Sequence, residues 1–187
     1  DLSPYYPSAY YSLGRLQPSG VIRNFLKKIR MRAFFATGLP LLSPRFGGYW
    51  LKKLNPKFTD CIADVGCGNG QLLYELHVAG FEDLHGFDPY LPKTEQLAPG
   101  LKLWKQDLAE TDLKFDVLML HHSFEHLADP EEVLRTCFER LNPGGRLLVR
   151  CPVADAAVWK EKQALWVQLD APRHISIPST QGFVGAA

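Results

Sequence analysis

Short apolar runs alternate with amphipathic segments along most of the chain, and this alternation predicts a sheet covered by helices. Most of the apolar runs are continuous, as is typical of strands buried on both faces. The predicted strands are 61–65, 84–88, 101–107, 115–122 and 145–151. Helical spacing is clearest at 71–79 and 130–141, after the first and fourth strands. The pattern predicts an α/β fold with a doubly wound parallel sheet, whose ligand crevice lies at the carboxyl ends of the strands.

The loop after the first strand is rich in glycine, with Gly66, Gly68 and Gly70 directly before the predicted helix. Glycine allows positive φ and close approach of the main chain, so a ligand can lie beside the N–H groups of the helix start. A dinucleotide-binding fold has a similar loop, but Gln71 occupies the position of its third small residue. The second strand ends at Asp88, at the position where a dinucleotide-binding fold places an acid that binds ribose hydroxyls. Asp88 therefore supports an adenosine ligand, but other folds that bind adenosine also use an acid there, so it does not identify the fold.

The glycine loop and three later segments match one family in the correct order. Residues 64–70, Asp-Val-Gly-Cys-Gly-Asn-Gly, resemble the D-x-G-x-G-x-G signature of class I S-adenosylmethionine-dependent methyltransferases. Residues 106–108 resemble the family's adenine-binding segment, 115–130 its L-E-H-x-x-D-P segment after strand four, and 141–149 its L-x-P-G-G-x-L entry to strand five. The chain is similar to the bacterial glycan and small-molecule branch, methyltransferase type 11/23-like. The resemblance implies an enzyme with S-adenosylmethionine as cofactor.

The resemblance also implies how the cofactor is held. The three glycines would seat its amino acid end, Asp88 the ribose and Asp107 the adenine, while Asp64 would order the loop. The full set of implied cofactor-binding residues is Asp64, Gly66, Cys67, Gly68, Gly70, Asp88, Pro89, Asp107, Leu108 and His121. Judged from local sequence alone, Asp107 is instead an ordinary turn residue at the end of a strand.

Three further residues are candidates for catalysis, namely His122, Asp170 and His174. His122 is the last residue of the predicted fourth strand, and residues 168–174 resemble a W-x-x-L-D-x-P-x-H segment near the active-site mouth of this branch. With a hydroxyl acceptor, these side chains could orient or deprotonate the hydroxyl. A structural alternative is that Asp170 pairs with Arg173 and pins a long loop.

The histidines after the fourth strand also allow a metal hypothesis, with His121, His122, Glu125 and His126 as ligands. The segment lacks a complete H-E-x-x-H pattern and is expected to be a loop, so we predict no metal site. The structural explanation is that Glu125 and His126 brace the loop by hydrogen bonding.

We expect two parts in the chain: a basic front, 1–57, and a domain, 58–187, that the resemblance identifies as a methyltransferase domain. Ten Lys or Arg and no acids lie between residues 2 and 59, whereas eleven basic and nineteen acidic residues follow from residue 60. The front contains a basic amphipathic helix over 21–35, which is either a lid with solvated charges or a contact for an anionic substrate, an anionic lipid surface or nucleic acid. We expect a small-molecule or glycan acceptor and no nucleic acid. The sequence leaves open whether the acceptor is anionic and whether the protein contacts a membrane surface.

The aromatic Tyr10 and Tyr11 either help to cover the cofactor or fill a surface groove.

Composition limits the location of the protein. Its four cysteines show no C-x-x-C spacing, so neither zinc nor a disulfide framework is predicted, which fits a reducing cytoplasm. No apolar run approaches about 18 residues and no signal peptide is present, so we expect neither a membrane span nor secretion by that route.

A complete class I sheet has seven strands, and this chain stops within a helix that is predicted after the fifth strand with its N-cap at Ser179 or Thr180. We therefore expect five strands in the order 3-2-1-4-5, with 146–151 as an exposed edge that favours a homodimer. Two other functions stay open: a non-catalytic cofactor-binding or regulatory domain of the same fold, and an NAD-dependent oxidoreductase.

Overall fold

The computed structural model describes residues 14–186, and for 184–186 it describes the main chain alone. The expected packing of Tyr10 and Tyr11 lies outside the described residues.

Six strands in the described range form a single mixed sheet. They are β1 (Cys61–Val65), β2 (Asp83–Phe87), β3 (Glu95–Ala98), β4 (Leu101–Trp104), β5 (Phe115–His121) and β6 (Leu141–Arg150). The order is β3-β4-β2-β1-β5-β6, and every neighbouring pair is parallel except β3 with β4. The five predicted strands have their predicted 3-2-1-4-5 order, and the α/β class is confirmed.

The predicted count of five strands is wrong, because β3 adds an antiparallel strand at the edge. A turn at Pro99 and Gly100 joins β3 to β4, and Gly100 has φ +75°. A Cβ at Gly100 would lie 1.9 Å from the carbonyl oxygen of Glu82, so the tight approach requires glycine. Residues 88–100 contain no helix, so this crossover uses a hairpin where a doubly wound fold usually has a helix.

The described range contains six α-helices, some preceded or followed by single 3₁₀ turns. They are α1 (Val21–Thr37), α2 (Gly48–Leu54), α3 (Gln71–Ala79), α4 (Pro130–Arg140), α5 (Ala157–Lys162) and α6 (Thr180–Ala186). None of them is long and apolar enough to cross a membrane.

Both faces of the sheet are covered by apolar side chains, as predicted for continuous apolar strands. On one face, α1, α2 and α3 contribute to a cluster that includes Val117 and Met119 of β5. On the other face, α4 packs against Leu118 and Leu120 of the same strand. Alternate β5 residues thus enter opposite cores, which fixes the register of the central strands.

The sequence Asn-Pro-Gly-Gly at 142–145 predicts a turn that ends the helix, but in the structure these residues belong to β6. The register of β6 against β5 shifts between Phe115 and Val117, and Gly144 has φ +79°. The Asn142 side-chain amide donates to Asp116 Oδ1 at 2.9 Å, which holds the irregular start of the strand against β5.

The helix α1 lies alongside α3 rather than over the strand ends. Its Lys27 Nζ pairs with Glu75 Oε2 at 2.6 Å, and Met31 and Phe34 are buried. The segment before the helix, 14–19, reaches the glycine loop: the Asn69 side-chain amide donates to the carbonyl oxygen of Gly14 at 2.8 Å. The segment 14–19, rather than α1 itself, therefore contacts the glycine loop.

Candidate active site

The glycine loop joins β1 to α3 at the carboxyl edge of the sheet. Gly66, Gly68 and Gly70 have φ of +75°, +52° and +75°, which side-chain-bearing residues rarely adopt. The Gly66 N–H donates to the Phe87 carbonyl at 2.8 Å. A Cβ at Gly66 would lie 2.5 Å from Ser123 Cβ, so the loop packs directly under the turn that follows β5.

Asp88, at the end of β2, holds the glycine loop in place. Its Oδ2 accepts the Gly68 N–H at 3.0 Å and its Oδ1 accepts the Tyr90 N–H at 2.9 Å. Pro89 between them is exposed. A carboxylate has about four acceptor positions, so Asp88 keeps capacity for a ligand hydroxyl.

Asp64, next to the end of β1, is 3% exposed, and its Oδ1 has no hydrogen-bond partner among the described residues. Burial, reinforced by the charge of Asp88, raises the pKa of Asp64 to about 8. The same causes, together with Asp64, raise the pKa of the Cys67 thiol well above its usual value. A buried acceptor with no donor suits a cationic group such as the ammonium of an amino acid ligand.

Asp107 follows β4 and begins a 3₁₀ turn over Leu108–Glu110. Its N–H donates to Glu110 Oε1 at 2.8 Å, while its side chain is exposed and Leu108 is buried. Partial burial, then Glu110 and Asp88, raise the pKa of Asp107. Asp88 follows β2 and Asp107 follows the neighbouring parallel strand β4, so the two acids share one edge of the sheet, although Asp107 also fits the turn role that local sequence indicates.

His121, at the end of β5, is held in its neutral form. Burial and then the neighbouring Arg150 lower the pKa of His121 to about 3. Arg150 Nη1 lies 3.2 Å from His121 Nδ1, and a guanidinium can only donate, so the proton of the imidazole lies on Nε2. That buried Nε2 has no partner among the described residues, and it is therefore a donor available to a ligand.

Two of the three predicted catalytic residues, His122 and His174, lie beside Glu125, which is 1% exposed, and the third, Asp170, lies beside His174. His122 Nδ1 lies 3.6 Å from Glu125 Oε1, and His174 Nε2 lies 3.9 Å from the same oxygen. Asp170 Oδ2 lies 3.9 Å from His174 Nε2. The structure thus brings together residues separated by almost 50 positions in the sequence.

The backbone and hydrogen bonds of these histidines limit their roles. His122 has φ +54°, an uncommon conformation that is often found at functional sites. His174 Nδ1 lies 2.7 Å from the Gln168 carbonyl and must donate to it, so Nε2 is the nitrogen that faces Glu125 and Asp170.

The bracing roles suggested by local sequence are also present. The Ile175 N–H donates to the Glu125 carbonyl at 2.8 Å, and His126 Nδ1 donates to the Arg173 carbonyl at 2.9 Å. Asp170 and Arg173 form an ion pair. These contacts tie 168–176 to the turn after β5 and keep His174 beside Glu125.

Glu125 lies at the centre of this cluster, and the sequence did not indicate that position. Its Oε2 is buried without a partner among the described residues. The signal was its place in the L-E-H-x-x-D-P segment, but that pattern does not reveal which distant residues meet it.

Two groups of side chains in the described range have the spacing of metal ligands: Cys61 with Asp83 and His85, and Glu125 with His126 and His174. In the first, His85 accepts from Trp104 at 3.1 Å and its other nitrogen meets Asp83 at 2.9 Å, so its ring is already satisfied. Residues 124–126 form a 3₁₀ turn, so His122 and His126 do not form the helical i, i+4 pair that the metal hypothesis considered.

Comparison with known proteins gives a consistent picture. A family model for a methyltransferase domain matches residues 25–186. A ubiquinone biosynthesis O-methyltransferase of Caulobacter sp. (strain K31) is 35% identical over 98 residues, which cover 47% of this chain and 39% of that relative. The enzyme of the same name from Aliivibrio fischeri (strain MJ11) is 30% identical over 117 residues, covering 57% of this chain and 50% of the relative. The matched region thus spans half or less of these relatives.

Solved structures share the fold. YcgJ of Bacillus subtilis superposes with a TM-score of 0.57 at 16% identity, covering 74% of this chain and 64% of YcgJ. The plantazolicin methyltransferase BpumL, solved with SAH and a monoazolic desmethylPZN analog, gives 0.52 at 18% identity, covering 88% of this chain and 65% of BpumL.

Proposed function

Because the chain belongs to the S-adenosylmethionine-dependent methyltransferases, as its motifs predicted, we propose that it transfers a methyl group to a hydroxyl of a small-molecule or glycan acceptor. The observation that carries the proposal is the carboxyl edge of the sheet. There, a glycine loop and two buried acids lie beside a cluster of histidines around Glu125.

The residues at this edge fit the cofactor. The unpartnered Asp64 Oδ1 would accept the ammonium of the methionine moiety, and Asp88 would accept ribose hydroxyls while it fixes Gly68. Asp107 would bind the adenine amino group, with Leu108 beside the ring. When bound, S-adenosylmethionine supplies a methyl group on a sulfonium that is already electrophilic, so the protein has to position the acceptor and manage one proton.

The histidine cluster would manage that proton. The His122 side chain is 45% exposed, so it can face an acceptor hydroxyl, whereas the His174 side chain is 9% exposed and its Nε2 faces Glu125 and Asp170. The carboxylate of Glu125, close to both, would stabilise an imidazolium formed by proton transfer. We favour His122 as the residue nearest the acceptor.

Oxygen as the acceptor atom is supported by the O-methyltransferase names of the matched relatives. The excess of basic residues before residue 60 favours an acceptor with anionic character.

Calorimetry with S-adenosylmethionine, S-adenosylhomocysteine and NAD tests the cofactor, and a screen of hydroxyl acceptors with labelled methyl donor tests the transfer. We expect both adenosyl ligands to bind, NAD to bind poorly, and label to enter a hydroxyl compound. Tight binding with no transfer to any acceptor would favour a non-catalytic cofactor-binding domain. Tight NAD binding alone would contradict the assignment.

Once an acceptor is identified, His122→Ala and His174→Ala are expected to lower kcat by about 10²-fold or more, the usual effect of removing a general base. S-adenosylhomocysteine affinity should change little. His77→Ala, on the last turn of α3, is the matched control and should leave kcat near the original value. Unchanged kcat in both site variants would mean that positioning alone suffices or that the base lies elsewhere.

A further inference from the structure

The helix α1 carries an apolar stripe on its outer side. Residues 22, 25, 26 and 29 have the i, i+3, i+4, i+7 spacing of one helix face, and residue 21 extends it. All five side chains are exposed: Val21 85%, Ile22 78%, Phe25 63%, Leu26 59% and Ile29 49%. About half or more of each side chain on this apolar face is thus uncovered by the described part of the chain.

This outer stripe is separate from the face that packs on the protein. The inward side chains are Asn24, Lys27, Met31 and Phe34, which contact α3 or lie in the core. At about 100° per residue, these positions lie on the side of the helix opposite Ile22 and Ile29. The stripe is therefore not needed to hold α1 in place.

Basic side chains border the stripe on both sides. The same helical geometry places Arg23 and Arg30 along one border and Lys28 and Arg32 along the other. No Asp or Glu occurs in α1, and none lies between residues 2 and 59. An apolar stripe between two cationic borders is the pattern of helices that lie in the interface of an anionic bilayer.

One basic border faces a cavity of about 560 Å³ between α1, α3 and residues 44–46. Arg23 and Arg30 line it together with Arg45, and Leu26 and Phe46 supply apolar walls. Its acid, Glu75, is neutralised by Lys27 at 2.6 Å. The net positive lining suits an anionic headgroup next to apolar chains.

We propose that the outer face of α1 binds the surface of an anionic lipid bilayer, with the stripe among the upper acyl chains and the arginines and lysines at the headgroups. A second copy of the chain fits this face less well. A two-fold contact would bring identical basic borders together without acids to offset them.

The position of α1 gives the contact a functional direction. The Ser19 N–H donates to Tyr74 Oη at 3.2 Å and the Gln17 N–H donates to Gln71 Oε1 at 2.8 Å, so the start of α1 lies at the start of α3, beside the glycine loop. The most exposed stripe residues, Val21 and Ile22, are at this end. A bilayer bound here would lie next to the edge of the sheet that carries the candidate active site. The inference does not rest on the proposed reaction.

Vesicle co-sedimentation of the 187-residue chain tests the proposal. Vesicles of phosphatidylcholine alone are compared with vesicles containing roughly one third phosphatidylglycerol. We expect partitioning to be at least about tenfold stronger on the anionic vesicles and to weaken in about 0.5 M salt. Phe25→Glu and the double variant Arg23→Glu/Arg30→Glu should each reduce it by about tenfold or more.

Phe138→Glu is the matched control, because Phe138 is 80% exposed on α4, which covers the opposite face of the sheet. It should leave partitioning unchanged, and circular dichroism should show that all variants are folded. The proposal is overturned by equal partitioning on neutral and anionic vesicles, by absence of binding, or by equal loss in Phe25→Glu and Phe138→Glu. Light scattering that shows a dimer dissociated by Phe25→Glu would overturn it in favour of a second copy.

Discussion

At the scale of single residues, two buried acids at the ends of adjacent strands differ in their hydrogen bonds. Both oxygens of Asp88 accept main-chain N–H groups, whereas Asp64 Oδ1 accepts none from the described residues. Both oxygens of Asp88 are therefore already paired, whereas Asp64 Oδ1 is free to accept a hydrogen bond from a ligand. The two acids should respond differently to substitution.

Asp88→Ala removes an acceptor that serves both the glycine loop and the proposed ribose contact. We expect S-adenosylhomocysteine binding to weaken by about 2 kcal/mol or more, the usual effect of losing a charged hydrogen-bond acceptor, with the fold intact. Calorimetry measures the change, and NAD should bind poorly to both forms. Asp83→Ala, at the opposite end of β2, is the control and should keep the original affinity. Equal weakening in both variants would contradict the ribose assignment.

The raised pKa of Asp64 should make the affinity for S-adenosylhomocysteine depend on pH. Its pKa is raised to about 8, so it is largely protonated below that pH in the absence of ligand and must lose a proton to accept an ammonium. S-adenosylhomocysteine affinity should therefore rise with pH, approaching about tenfold per unit below pH 8, with uptake of a proton by the buffer. Calorimetry in buffers of different ionisation enthalpy measures the proton released. In Asp64→Asn the dependence should vanish, and a pH-independent affinity in the original protein would contradict this role.

Whereas ligand affinity should rise with pH, the contribution of Asp64 to folding stability should fall with pH. A carboxyl group whose folded pKa is raised favours folding below its unfolded value of 3.8 and loses that advantage as pH rises through about 8. In the absence of ligand, Asp64→Asn should therefore raise Tm near pH 8 by at least about 2 °C while it weakens cofactor binding. A lower Tm in Asp64→Asn would indicate a donor that the structure does not show.

At the scale of elements, α4 begins with an N-cap hydrogen bond to an aspartate side chain. Asp129 Oδ1 accepts the Glu132 N–H at 3.0 Å, and Pro130 occupies the first helical position. Pro130 and the two following glutamates are typical of a helix start, and the predicted helix 130–141 differs from the observed one by a single residue at the end.

Asp129→Ala should lower the free energy of unfolding by about 1 kcal/mol, because the cap hydrogen bond is lost. Urea denaturation measures it. Asn caps helices as well as Asp, so Asp129→Asn should retain most of the stability. A loss in Asp129→Asn as large as in Asp129→Ala would show that the charge, rather than the cap hydrogen bond, is responsible.

Other elements illustrate where sequence reasoning fails. The strands with continuous apolar runs were predicted because burial on both faces leaves a local signature. The edge strand β3 has no such signature, since Glu95 and Gln96 are exposed and pair with one neighbour only. The cluster at Glu125 was predicted only in part: its histidines were candidates, but their approach to Glu125 depends on a long loop whose path is fixed by tertiary contacts.

At the scale of the whole molecule, the sheet ends differently at its two sides. The short β3 closes one side, whereas the ten-residue β6 forms the other. In the described part of the chain, β6 pairs only with β5, so its outer main-chain groups form an open edge. This is the edge expected from the sequence.

We predict reversible self-association through this edge, which sedimentation velocity between about 1 and 100 µM would detect as a mass that rises with concentration. Phe25→Glu should not abolish the association, because α1 lies on a face of the sheet rather than at this edge. A single monomeric species at every concentration would contradict the prediction.

The attachment of α1 is uneven along its length. Its two buried side chains, Met31 and Phe34, lie in its second half, whereas the first half is held mainly by polar contacts such as Lys27 with Glu75. Segments held by such contacts unfold locally at a low free energy, whereas segments held by buried core residues unfold only at a much higher free energy. The first turns of α1 should therefore detach transiently without disturbing the sheet, so the helix behaves as an arm anchored at one end, whose tilt can adapt to the surface that it meets.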